Sequence, residues 1–104
     1  VFDETFNVQV GDDLSTYEFD QFKRLPDVKK VLSIGGWTFS TDPSTYHLFR
    51  SGVTAANRQT LANNIAYFVL AHGLDGVNID WEYPGVSIVV IDRRLLIMLI
   101  NTSI

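Results

Sequence analysis

The chain has 104 residues, the length of one small domain or of part of a larger one, and 46% hydrophobic and 12% aromatic content, which excludes global disorder. Eight basic and twelve acidic residues are mixed along it, for a net charge of −4. Lys29-Lys30 is too short to make a basic face, so nucleic acid is excluded as a partner, and the lack of cysteine excludes disulfides, thiolate metal sites and thiol nucleophiles. Neutral or weakly charged substrates suit this balance.

The chain opens on Val1-Phe2-Asp3, with no initiator Met and no basic region of a signal peptide, and its start is expected to be internal to a longer product. Val1-Phe2 reads as the end of a strand that begins elsewhere, and 3–13 as a loop. Ser15 or Thr16 is expected to cap a short helix carrying Phe19, Phe22 and Leu25 on one side, closed by Pro26. Residues 28–34 are apolar and β-branched and end on Gly35-Gly36, the pattern of a buried strand. A loop is expected over 37–43, after which Pro43 and Ser44 start a helical turn holding Tyr46 and Phe49. Thr54 is expected to cap the best helix, 55–72, where Leu61, Ile65, Phe68 and Val69 make an amphipathic stripe and Gly73 supplies the stop.

A second strand follows over 74–83. Strand, helix, strand in that order is a βαβ unit and predicts a parallel sheet. Beyond Gly85 the apolar runs 88–91 and 95–100 are split by Asp92-Arg93-Arg94. Neither approaches the ~18 residues of a membrane span, so no membrane partner is expected. Strand and helix both stay open for this stretch, since periodicity does not separate them. Asn101-Thr102-Ser103 matches a glycosylation sequon, which as a single match carries little weight.

The chemistry concentrates in the second strand, Asp75-Gly76-Val77-Asn78-Ile79-Asp80-Trp81-Glu82-Tyr83-Pro84. Side chains alternate faces along a strand, so Val77, Ile79 and Trp81 make an apolar face and Asn78, Asp80 and Glu82 a polar one. Pro84 is expected to end the strand. The polar face then crowds the C-terminal end, where parallel α/β proteins place their active sites. Taken alone, an Asp-x-Glu strand end is more often a pair of solvated acids than a site. The spacing is not that of a calcium loop, and neither metal nor cofactor is expected.

The surrounding residues sharpen this. Asp75-x-x-Asn78-x-Asp80-x-Glu82 with Tyr83-Pro84 resembles the catalytic signature of glycoside hydrolase family 18, the chitinases, in which the pattern is Asp-x-x-Asp-x-Asp-x-Glu. Ser33-Ile34-Gly35-Gly36 resembles that family's Ser-x-Gly-Gly motif. Phe22-Lys23, 35–40, Thr45-Tyr46, Phe49-Arg50 and 56–58 are similar to its fungal killer-toxin-like branch.

The resemblance implies a partial TIM (β/α)8 barrel, with parallel strands and crossover helices at about barrel strands two to four, in an α/β fold class. Residues 1–85 would form part of the catalytic domain. Residues 86–104 form an apolar tail without the resemblance, expected to come from out-of-frame or intron-derived translation or from a truncated gene model. A complete barrel takes ~250 residues. Open sheet edges in a partial one predict self-association.

The resemblance also implies the activity: endo-acting hydrolysis of β-1,4-linked N-acetylglucosamine in chitin or chito-oligosaccharides, by substrate-assisted retention, in the extracellular space or cell wall. Glu82 matches the general acid and Asp80 the acceptor that orients the substrate acetamide. Asn78 stands where the family usually has an acid. An amide cannot share a proton with Asp80, so altered pH dependence is expected. Tyr83 and Trp37 are candidates for the sugar site, whereas Trp81 reads as packing. Ser33, Gly35, Gly36 and Asp75 read as structural. A fragment of this kind is expected to be inactive alone. A non-catalytic chitin-binding fragment and a non-functional truncated product remain the alternatives.

Overall fold

The structure, a computed structural model, describes residues 1–83 and the backbone of Val89–Asp92. Pro84, Gly85, the sequon and the rest of the 86–104 tail lie outside the described residues. The elements in chain order are α1 (Asp13–Lys23), β1 (Val31–Gly35), α2 (Trp37–Thr41), α3 (His47–Gly52), α4 (Arg58–Ala71), β2 (Gly76–Asp80) and β3 (Val89–Asp92).

β1 and β2 pair in parallel, from Val31 opposite Gly76 to Gly35 opposite Asp80. The crossover between them carries α2, α3 and α4, so the predicted βαβ unit is present. The sheet order is β1-β2-β3, and β3 pairs antiparallel to β2, from Gly76 opposite Asp92 to Ile79 opposite Val89. β3 falls in the stretch for which strand and helix both stayed open, and it adds an antiparallel neighbour to the expected parallel pair. Residues 81–88 between β2 and β3 are fewer than the dozen or so a parallel crossover needs, so the chain returns antiparallel.

Val1-Phe2 does not join the sheet either. Phe2 forms an isolated antiparallel bridge with Val8. The Asp3 carboxylate explains this local folding: it accepts from Thr5 N–H at 2.9 Å, Asn7 N–H at 3.1 Å and Gln9 Nε2 at 2.7 Å. The segment read as a plain loop is thus an organised turn that directs Phe2 and Phe6 into the core.

Several helix boundaries also move. Asp12, rather than Ser15 or Thr16, caps α1, its carboxylate accepting from Ser15 N–H at 2.8 Å. A carboxylate caps as well as a hydroxyl and adds charge that favours a helix N-terminus. Phe19 on α1 lies 5.8 Å from the Phe68 ring and 5.2 Å from His72, which docks α1 on the end of α4; Leu25 falls beyond the helix and is exposed. Residues 54–57 form a turn, so α4 starts at Arg58 behind Asn57, and the Thr54 hydroxyl donates to Ser51 O instead of capping. Of the predicted stripe, Leu61, Ile65 and Val69 are buried and Phe68 is half-buried, with Ala66 filling the same face.

The core joins these faces. Ile34 of β1, Val77 of β2 and Leu74 before it are fully enclosed against α4. Below them Phe2, Phe39 and Phe49 meet edge to face, with ring centroids 5.1–5.3 Å apart.

Candidate active site

Both ends of the β1–β2 ladder are fixed by residues the sequence singled out. At its start the Asp75 carboxylate accepts from Lys30 N–H at 2.7 Å, while Asp75 N–H donates to Lys30 O at 2.8 Å. Asp75 is thus a strand clamp, on the order of 15 Å along the strand from Asp80. At the other end Gly36 N–H donates to Asp80 O at 2.8 Å. That approach requires Gly35, whose backbone sits at φ +116 and where a Cβ would lie 2.1 Å from Asp80 O. Gly36, at φ +98, then turns the chain into α2.

The α2 helix occupies part of the expected 37–43 loop. It forms because Ser40 N–H donates to Gly36 O at 3.0 Å and Phe39 anchors the turn in the core. Its presence changes how the acids are held. The ladder ends at Asp80, so β2 is shorter than the predicted 74–83 and Glu82 stands two residues past the strand rather than on it. Glu82 N–H, having no strand partner, donates to the Ser40 hydroxyl at 3.0 Å. Trp81 stacks on Phe49 at 5.2 Å and 16°, which gives it the expected packing position.

On the polar face, Asn78 Nδ2 donates to Ser33 Oγ at 3.1 Å across the β1–β2 pair. Asn78 Oδ1 is buried with no hydrogen-bond partner among the described residues. Glu82 and Asp80 meet through their side chains. Partial withdrawal from water, then the hydrogen bond to Asp80 and the Asp80 charge, push the Glu82 carboxyl above the ordinary glutamate value; a hydrogen bond from Tyr83 acts the other way. A carboxyl whose affinity for its proton is raised beside a second carboxylate is suited to the role of proton donor.

Exposed aromatics border the acids. Trp37 and Tyr83 stand edge to face at 6.3 Å, with 59% and 74% of their surfaces open to solvent, so both are free to contact a ligand. Among the described residues no group of three or more His, Cys, Asp or Glu is placed to hold a metal ion, and no helix is long and apolar enough to cross a membrane.

The structure thus brings together Ser33 with Asn78, Asp80 with Glu82, and Trp37 with Tyr83, and places Asp75 apart from them. Ser40 is the residue that sequence reasoning missed. Its signal was a serine one helical turn after Gly36, hidden because 37–43 read as a loop.

A parallel βαβ unit carrying an acid pair at the C-terminal end of its second strand holds those acids where α/β sheets bind their ligands. The profile of glycosyl hydrolases family 18 matches residues 1–101, and the chain belongs to that family. A probable chitinase, LysM18, of Penicillium expansum is 67% identical over 73 residues, covering 70% of this chain and 5% of that protein. The secreted chitinase LysM12 of the same fungus is 51% identical over 80 residues, 77% of this chain and 5% of the relative. The killer toxin subunits alpha/beta of Kluyveromyces lactis are 49% identical over 74 residues, 70% of this chain and 6% of the relative. The chain therefore spans about one twentieth of the length of these relatives. No solved structure gave a significant match.

Proposed function

We propose that this chain is a section of a chitinase-type glycoside hydrolase that cleaves β-1,4-N-acetylglucosamine linkages in chitin or chito-oligosaccharides with retention, the substrate's own acetamide acting as nucleophile. The observation that carries this reading is the acid pair at the end of the parallel ladder, Asp80 on its last rung and Glu82 two residues further on, bordered by the exposed Trp37 and Tyr83. Glu82 donates its proton to the glycosidic oxygen. Asp80 accepts from the acetamide N–H and stabilises the positive charge that develops on the ring formed by the acetamide oxygen. Trp37 and Tyr83 offer faces to the sugar rings. Asn78, an amide tied to Ser33, positions Asp80's side of the site without sharing a proton.

The reading includes endo action, an extracellular or cell-wall location and a TIM barrel to which β1 and β2 contribute. This stretch alone is expected to be inactive and to associate with other chains through the open edge of β1.

The test is a transplant. Residues 31–83 replace the matching segment of the 67% identical Penicillium expansum relative, and hydrolysis of an N-acetylglucosamine tetramer is followed by the anomeric proton signals of the first products. Activity with the β-anomer formed first is expected, and Glu82→Gln should reduce it by about 10²–10⁴-fold. A folded transplant that shows no hydrolysis, or first releases the α-anomer, overturns the proposal.

A further inference from the structure

Ser33, Asn78, Asp80 and Glu82 lie in the two signature motifs; Ser40 stands outside both, within the 35–40 stretch similar to the killer-toxin-like branch, and has no role assigned to it. It is the only buried polar or charged residue among the described residues, at 7% exposure. A buried hydroxyl is unfavourable unless it is hydrogen-bonded. Ser40 satisfies that requirement on Glu82 N–H, at 3.0 Å and 42 residues away in sequence. The contact falls where the sheet stops supporting the chain. Gly36 N–H to Asp80 O is the last bond of the ladder, because Gly36 turns away from β2. Past Asp80 the backbone carrying the acid would otherwise have no fixed partner.

The α2 helix that presents Ser40 is itself immobilised. Phe39 lies 5.1 Å from Phe2 and 5.3 Å from Phe49, and the Thr45 hydroxyl donates to Phe39 O at 2.8 Å. Trp81, the neighbour of Glu82, stacks on the same Phe49. The two residues after the strand are thus held by the crossover, one through its ring and one through its amide.

We propose that Ser40 is a positioning residue for Glu82: by accepting from the Glu82 amide, it fixes the acid against Asp80 beyond the end of β2. This deepens the hydrolase reading and rests on it for the word acid. The placement of Glu82 is measurable without any turnover.

The experiment compares this chain with its Ser40→Ala and Ser40→Thr variants by NMR. Amide hydrogen exchange is read at Glu82 and, as a control inside the ladder, at Val77; the Glu82 carboxyl is titrated through its carbon shift. In Ser40→Ala the Glu82 amide is expected to exchange about tenfold faster or more while Val77 is unchanged. The Glu82 carboxyl should also titrate lower, as it leaves Asp80. Ser40→Thr, which retains the hydroxyl, should restore slow exchange at Glu82. Unchanged exchange and titration at Glu82 in Ser40→Ala overturn the proposal. So does equal acceleration at Val77, which would make Ser40 a general packing residue. Failure of the hydrolase reading is distinguishable: the transplant would not cleave sugar, while the Glu82 titration would still depend on Ser40.

Discussion

Gly35→Ala tests how the strand end is built. The added Cβ would lie 2.1 Å from Asp80 O, 2.9 Å from Asp80 C and 3.0 Å from Phe49 Cε2, at a backbone φ of +116. The first two contacts are backbone and cannot rotate away, so β1 and β2 must separate there. An alanine in this region of backbone space costs about 1–3 kcal/mol. Forced overpacking adds about 1–3 kcal/mol, and loss of the Gly36–Asp80 hydrogen bond about 1 kcal/mol. The sum, about 3–7 kcal/mol, is a large share of the ~5–15 kcal/mol that holds a small domain together. Gly36→Ala supplies the control. Its φ is +98 but nothing lies within 4 Å of the added Cβ, so only the backbone strain should appear. Urea unfolding followed by circular dichroism should place the Gly35→Ala midpoint below that of Gly36→Ala by about 1 M or more. Equal midpoints for the two variants would refute the close approach of Gly35 to Asp80.

Three other changes follow from the same structure. Asp75→Ala leaves Lys30 N–H without its 2.7 Å carboxylate partner and should destabilise the chain by about 1.5–3 kcal/mol in urea unfolding; a change near zero would dismiss the clamp. Asp80→Asn removes the charge beside Glu82, so the Glu82 carboxyl should titrate lower by carbon NMR, while its withdrawal from water still keeps it above the ordinary value; an unchanged midpoint would show that Asp80 does not act on it. Burial, and then the Lys23 ammonium 3.2 Å away, lower the pKa of His72, with Asp20 acting the other way. The fold therefore favours neutral His72, and this contribution is complete above the unfolded value of about 6.5 and is lost as pH falls from there through the lower folded value. His72→Gln should flatten the fall in melting temperature over that window, and an identical slope in the variant would count against the assignment.

Much of the site was legible because strand periodicity is strict. The alternation of Val77, Ile79 and Trp81 with Asn78, Asp80 and Glu82 set the two faces, and the stripe of Leu61, Ile65 and Val69 set the buried side of α4. The errors have a common physical cause: local hydrogen bonds that compete with, or end, regular structure. Asp12 outcompeted Ser15 as a cap, Asp3 turned a nominal strand end back on itself, and Ser51 took the Thr54 hydroxyl. The placement of Glu82 was the deepest of these. Alternation put it on the strand, yet Gly36 ends the partner strand, and the support passes to Ser40 from a helix that the glycine pair had disguised as a loop. The antiparallel β3 depended on the length of a connection, which the run of apolar residues did not reveal.

The role of Glu82 is tested most directly by varying how much protonation the leaving group needs. In the transplanted enzyme, Glu82→Gln should slow cleavage of the N-acetylglucosamine tetramer, a poor leaving group, by about 10²–10⁴-fold. On a chitobioside of an acidic phenol, which departs without being protonated, the same variant should lose far less. That contrast would establish Glu82 as the proton donor. An equal loss on both substrates would contradict it and place Glu82 among the residues that merely hold the sugar.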